Sequence, residues 1–205
     1  METNNEHIQE QYQEAKPKGG LSAGSIVLLM GIAAVAAVFG FALVKQGETQ
    51  PLSGQAPDFE FTTFIHDNYV FSDDYGEVQK LSDLRGNIVV LNFWASWCTE
   101  CRYEAAELEA AWNKYGDQGV IFLGIAYADN GPRSMQYMEE FQISYLNAPD
   151  LGTRISEKYN ITGVPETFFI DRNGDIVDFA MGTLSKRTME NLIESMLIAQ
   201  PYEGS

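Results

Sequence analysis

The chain has two cysteines, Cys98 and Cys101, with two residues between them. A thiol pair at this spacing supports two-electron chemistry. One thiolate attacks a disulfide and forms a mixed disulfide, and the second thiol attacks that bond and frees the product. The alternatives are a buried thiol pair and half of a metal site. A four-ligand zinc site needs further donors, and the histidines are His7 and His66. Neither a metal nor a cofactor beyond the cysteine pair is therefore expected. The pair sits in Trp97-Cys98-Thr99-Glu100-Cys101, after a buried run and at the start of an expected helix from about Cys98 to Tyr115. A cysteine at a helix N-terminus meets free N–H groups and the positive end of the dipole, and both favour thiolate.

The elements that must hold this segment alternate from Pro57 onward. Ile88 to Trp94 is nearly all apolar, as expected of a strand covered on both faces. Val120 to Ala126 reads as a second buried strand. Pro132 fits the first turn of a helix carrying Met135, Met138 and Phe141. Thr153 is expected to cap a short helix ending near Asn160. Thr167–Ile170 and Ile176–Phe179 flank Asn173-Gly174, a strong hairpin signal. Ser185 is expected to cap a last helix with Met189, Leu192, Ile193 and Met196 facing inward. The order β, α, β, α, hairpin, α predicts an α/β fold with a mixed sheet between helices. Ile65 to Glu77 is an acidic, aromatic excursion whose Asp67, Asp73 and Asp74 lack calcium-loop spacing.

Ahead of this domain, expected over residues 57–205, come three segments. Residues 1–18 form a polar tail. Gly19 to Val44 holds no charged residue and is long enough to cross a bilayer. A cleaved signal peptide has an apolar region of only about 7–15 residues, so a retained transmembrane anchor is expected rather than a signal or a core helix. Lys16 and Lys18 before the span favour a cytoplasmic N-terminus and an extracytoplasmic domain. Residues 45–56 read as a linker. Of the 29 acidic and 13 basic residues, 24 and 10 lie after residue 50, a net charge of −14. That charge repels phosphate backbones and argues against nucleic acid as a partner.

Val89-Val90-Leu91-Asn92-Phe93-Trp94-Ala95-Ser96-Trp97-Cys98-Thr99-Glu100-Cys101-Arg102 resembles the active-site segment of the thioredoxin superfamily. It is most similar to the membrane-anchored ResA, TlpA and CcmG (DsbE) branch linked to cytochrome c maturation. Gly163-Val164-Pro165-Glu166-Thr167-Phe168-Phe169-Ile170-Asp171 resembles the same branch. The resemblance implies a thioredoxin-like fold and a thiol–disulfide oxidoreductase that reduces client disulfides, apocytochrome c among them. It implies recharging by a transmembrane thiol donor of the DsbD/CcdA type. It implies a cis proline at Pro165 opposite the cysteines, and a client surface shaped by Trp97, Thr99, Glu100, Val164 and Pro165.

Glu104 is the third candidate catalytic residue. On a helix from Cys98 the inward stripe runs Cys101, Ala105, Leu108, Ala111, Trp112, Tyr115, and Glu104 lies beside it on the cysteine side. Burial there would raise its pKa and suit it to take the proton of Cys101. The family carries glutamate at this position. Ordinary thioredoxins use an aspartate six residues before the first cysteine, and here that position is Asn92, which cannot titrate. The alternative is a solvated glutamate, as expected of Glu107 and Glu109. Glu100, between the cysteines, disfavours thiolate and so predicts a reducing couple. Ala106 stands where many relatives have proline, which predicts a less kinked helix. Two other classes remain beside this reading. Peroxide reduction is disfavoured by Ala95, where such enzymes want Thr or Ser. A non-enzymatic client- or metal-binding module is the second.

Overall fold

The computed structural model describes residues 23–46, 49–67 and 70–200. The expected tail lies outside the described residues. The chain divides into two units, residues 1–48 and 49–205. In the first, α1 (Ala23–Gln46) is long and apolar enough over Ala23–Phe41 to cross a membrane. Its 24 residues make a rod of about 36 Å, against a hydrocarbon core of roughly 30 Å.

The second unit is built on a six-stranded mixed sheet. Its strands are β1 (Gly54–Gln55), β6 (Ile88–Trp94), β7 (Val120–Tyr127), β8 (Leu146–Asp150), β9 (Glu166–Ile170) and β10 (Asp175–Met181), in the order β1-β10-β9-β6-β7-β8. β6, β7 and β8 run parallel, while β9 is antiparallel to both β6 and β10. Two small antiparallel pairs lie between β1 and β6 in the chain: β2 (Glu60–Phe61) with β5 (Gln79–Lys80), and β3 (Phe64–Asp67) with β4 (Val70–Tyr75). The excursion expected at Ile65–Glu77 is thus largely a hairpin.

Every residue of β6 is buried, as its continuous apolar run requires. Successive side chains leave on opposite faces. Val90 and Trp94 join the core under α2 (Thr99–Tyr115), α3 (Gly131–Glu140) and α5 (Lys186–Ala199). Val89, Leu91 and Phe93 join the core under α4 (Arg154–Lys158), with Phe59, Ile155 and Tyr159. Asn92 therefore points to the α2 side. Gly124 on β7 passes beneath a buried bond from Trp94 Nε1 to Asn147 Oδ1 (2.8 Å), and a Cβ there would lie 1.9 Å from that oxygen.

Three expectations need correction, and one strand had no counterpart among them. β8 was not foreseen. Its Pro149 argues against a central strand, but β8 is the sheet edge, where a missing N–H costs no ladder bond. Thr153 precedes α4 with φ +55°, and its hydroxyl donates to Glu157 Oε1 (3.2 Å) instead of capping. The cap comes from Asp150, which accepts from Ile155 N (3.1 Å), Ser156 N (2.8 Å) and Ser156 Oγ (2.6 Å). Glu109 is buried and accepts from Ser144 N (2.9 Å) and Ser144 Oγ (2.6 Å). The segment expected as a linker is docked on the domain from Thr49, with β1 paired to β10 and Ala56 N donating to Gly174 O (2.9 Å). Ser185 does cap α5, accepting from Thr188 N at 3.2 Å.

Candidate active site

Cys98 is the N-cap of α2, and its Sγ accepts from Cys101 N at 3.0 Å. The two cysteines form a disulfide. An N-cap sulfur facing a first-turn N–H is where helix geometry best stabilises negative charge. Both cysteines are buried in the disulfide, Cys98 at 4 % exposure and Cys101 at 1 %. The preceding Trp97 is 55 % exposed, an apolar ring held in solvent beside the sulfurs, with Tyr127 as its ring neighbour at 6.4 Å. Thr99 and Glu100, the first residues of the helix, are exposed.

The loop entering β9 faces the disulfide. Cys98 Sγ lies 3.4 Å from Val164 O, and the Val164–Pro165 peptide is cis. Pro165 O accepts from Gly182 N (2.8 Å), and Thr183 Oγ1 donates to Glu100 O (3.4 Å). The segment after β10 therefore bridges the helix start and the proline loop.

Glu104 sits one helical turn after Cys101 and is 1 % exposed. Its Oε1 accepts from Asn92 Nδ2 (3.0 Å) and its Oε2 from Leu184 N (3.0 Å). Desolvation pushes its pKa up to about 7, against the opposing pull of the Leu184 and Asn92 hydrogen bonds. Asn92 also donates to Thr167 Oγ1 (3.0 Å), while its Oδ1 has no partner among the described residues. Tyr137 Oη donates to Cys101 O (2.9 Å), and its ring stacks on Trp94 with centroids 4.4 Å apart. Asp129, buried, accepts from Ser96 N (2.8 Å), Asn130 N (2.9 Å) and Ser134 Oγ (3.1 Å), and so holds the turn before the cysteines.

The AhpC/TSA family model matches residues 52–179 of this chain. The chain belongs to the AhpC/TSA family. Among relatives of this AhpC/TSA chain, the thiol-disulfide oxidoreductase ResA of Geobacillus kaustophilus is 31% identical over 129 residues, 63% of this chain and 74% of that one. The thioredoxin-like protein YneN of Bacillus subtilis is 33% identical over 144 residues, 68% of this chain and 77% of that one. A structure from Chlorobium tepidum described as a thiol:disulfide interchange protein DsbE superposes with a TM-score of 0.63 at 27% identity. It covers 73% of this chain and 99% of that chain. The fold is thioredoxin-like, as the resemblance implies, and the C-x-x-C pair is of the ResA/DsbE type.

The structure brings Cys98, Cys101, Glu104, Val164 and Pro165 together, with Trp97, Thr99 and Glu100 at the rim. The sequence marks Asn92 only as unable to titrate; the period-two alternation of β6 sets the face it leaves from, and the fold makes it a donor to Glu104. Leu184, Tyr137 and Asp129 carried no local signal, because each reaches the site through distant chain.

Proposed function

We propose that this chain is a membrane-anchored, extracytoplasmic thiol–disulfide oxidoreductase that reduces client disulfides. The carrying observation is the Cys98–Cys101 disulfide at the head of a helix, facing the Val164–Pro165 loop, with a buried carboxyl one turn below. In the reduced protein the Cys98 thiolate attacks one sulfur of a client disulfide. The client S–S bond breaks, a Cys98–client bond forms, and one client thiolate leaves. Glu104, ionised in part near neutral pH, takes the proton of Cys101. The Cys101 thiolate then attacks Cys98 Sγ, which releases the second client thiolate and closes the Cys98–Cys101 disulfide. Two electrons pass from the pair to the client, and a thiol donor outside the chain restores it.

Backbone at Val164–Pro165 and the exposed Trp97 ring give an extended client segment a place to lie across the sulfurs. The apolar helix α1 supports a membrane location, and the lysines before it support an extracytoplasmic domain. The likeness to ResA and DsbE supports apocytochrome c as a client and a donor of the DsbD/CcdA type. The test uses full-length protein reduced with dithiothreitol and freed of it, mixed with an oxidised peptide carrying two cysteines spaced as in a c-type haem site. Stoichiometric peptide reduction, lost in Cys98→Ala, is expected. No thiol transfer, or saturating turnover of peroxide instead, overturns the reading.

A further inference from the structure

We infer that Gln50 is a positioning residue that straps the client-binding loop in place. The inference rests on the reading that Val164–Pro165 receives the client. Glu166, the residue after Pro165, is fully buried. Its Oε1 accepts from Thr162 N (3.1 Å), Thr162 Oγ1 (2.8 Å) and Gly163 N (3.2 Å), which fixes the loop leading into Val164. Its Oε2 accepts from Gln50 Nε2 at 2.7 Å, the one donor to that oxygen among the described residues. Beside it, Asn160 Nδ2 donates to Thr49 O at 3.0 Å.

The contacts join residues 116 and 111 positions apart, so chain proximity does not produce them. A buried carboxylate oxygen without a donor is costly, and it recovers its hydrogen bonds by turning toward water. Turning would draw Oε1 off the Thr162 and Gly163 amides and release the backbone that sets Val164. Gln50 thus completes the shell of the carboxylate that shapes the loop. A protein cut after residue 50 would keep both cysteines and Glu104 but hold its client loop less firmly.

The test is made on the full chain in detergent micelles, comparing wild type with Gln50→Met, which keeps side-chain length and removes the donor, and with Gln50→Glu, which sets a second carboxylate against Glu166. Amide exchange at Thr162 and Gly163 is expected to rise about tenfold in Gln50→Met and further in Gln50→Glu. KM for a disulfide-bonded peptide is expected to rise several-fold with kcat within about twofold, since the sulfurs and Glu104 are untouched. Oxidised glutathione, too small to lie along the loop, should show little change. Unchanged exchange overturns the strap. Faster exchange with unchanged KM overturns the positioning role. If wild type transfers no thiols at all, the oxidoreductase reading fails, while the exchange data still decide whether Gln50 holds the loop.

Discussion

Replacing Glu104 by Gln tests the buried carboxyl in the disulfide form, without any substrate. The side chain is 1 % exposed and its pKa is raised from 4.5 to about 7. In the unfolded chain it ionises near its ordinary value. Between roughly pH 4.5 and 7 the folded protein therefore holds a proton that the unfolded chain has lost, so stability falls as pH rises through this window. At about 1.4 kcal/mol per pKa unit, the loss is about 3 kcal/mol by pH 8 relative to pH 4. The variant cannot titrate at this position, and the introduced amide can pair with Asn92 Oδ1, which has no partner among the described residues, once the Asn92 amide turns. Both proteins share every other ionisable side chain, so the wild-type-minus-variant difference isolates Glu104. The assay is urea unfolding of the oxidised full chain in micelles from pH 4 to 8, followed by tryptophan fluorescence; all three tryptophans lie in the domain. Wild type should lose about 3 kcal/mol against Glu104→Gln across the range. A pH-independent difference, or one that grows in favour of wild type as pH rises, would refute the reasoning.

Cys101→Ser should trap a mixed disulfide between Cys98 and a client peptide, visible on a non-reducing gel and absent in Cys98→Ser. Gly124→Ala should drive a methyl into the Trp94–Asn147 bond. It should cost at least about 2 kcal/mol, a Tm drop of several degrees, where a change under about 2 °C would mean the sheet can make room. Asp150→Ala should cost about 1–2 kcal/mol by removing the acceptor of the Ile155 and Ser156 amides, while Thr153→Ala should change stability by less than about 0.5 kcal/mol. The opposite ranking of these two would show that Thr153 is the cap after all.

How far the sequence could be read depended on distance along the chain. β6 and α2 were legible because their apolar patterns are local, and so was the placing of Cys98 at a helix start. Glu104 could be set at the edge of the apolar stripe by counting turns. Glu109 could not be told from a solvated glutamate, because its partner Ser144 arrives from 35 residues on. β8 was hidden by Pro149, since propensity does not reveal which strand will be an edge. The polar run 45–56 looked like a linker because nothing local signals Gln50 meeting Glu166 across 116 residues. Thr153 had a good N-cap residue type, but Asp150 reached the same amides first. The oxygens of Glu104 illustrate the general case: burial was inferable from one helix, but its donors Asn92 and Leu184 come from two other parts of the fold.

The most direct measurement is the reduction potential of the Cys98–Cys101 couple in the full chain, equilibrated with dithiothreitol or glutathione buffers. Glu100 between the cysteines and the proposed flow of electrons to clients predict a value near or below roughly −230 mV, toward the thioredoxin end of the scale. A value near roughly −120 mV would make the protein a disulfide donor and contradict the proposed direction of transfer.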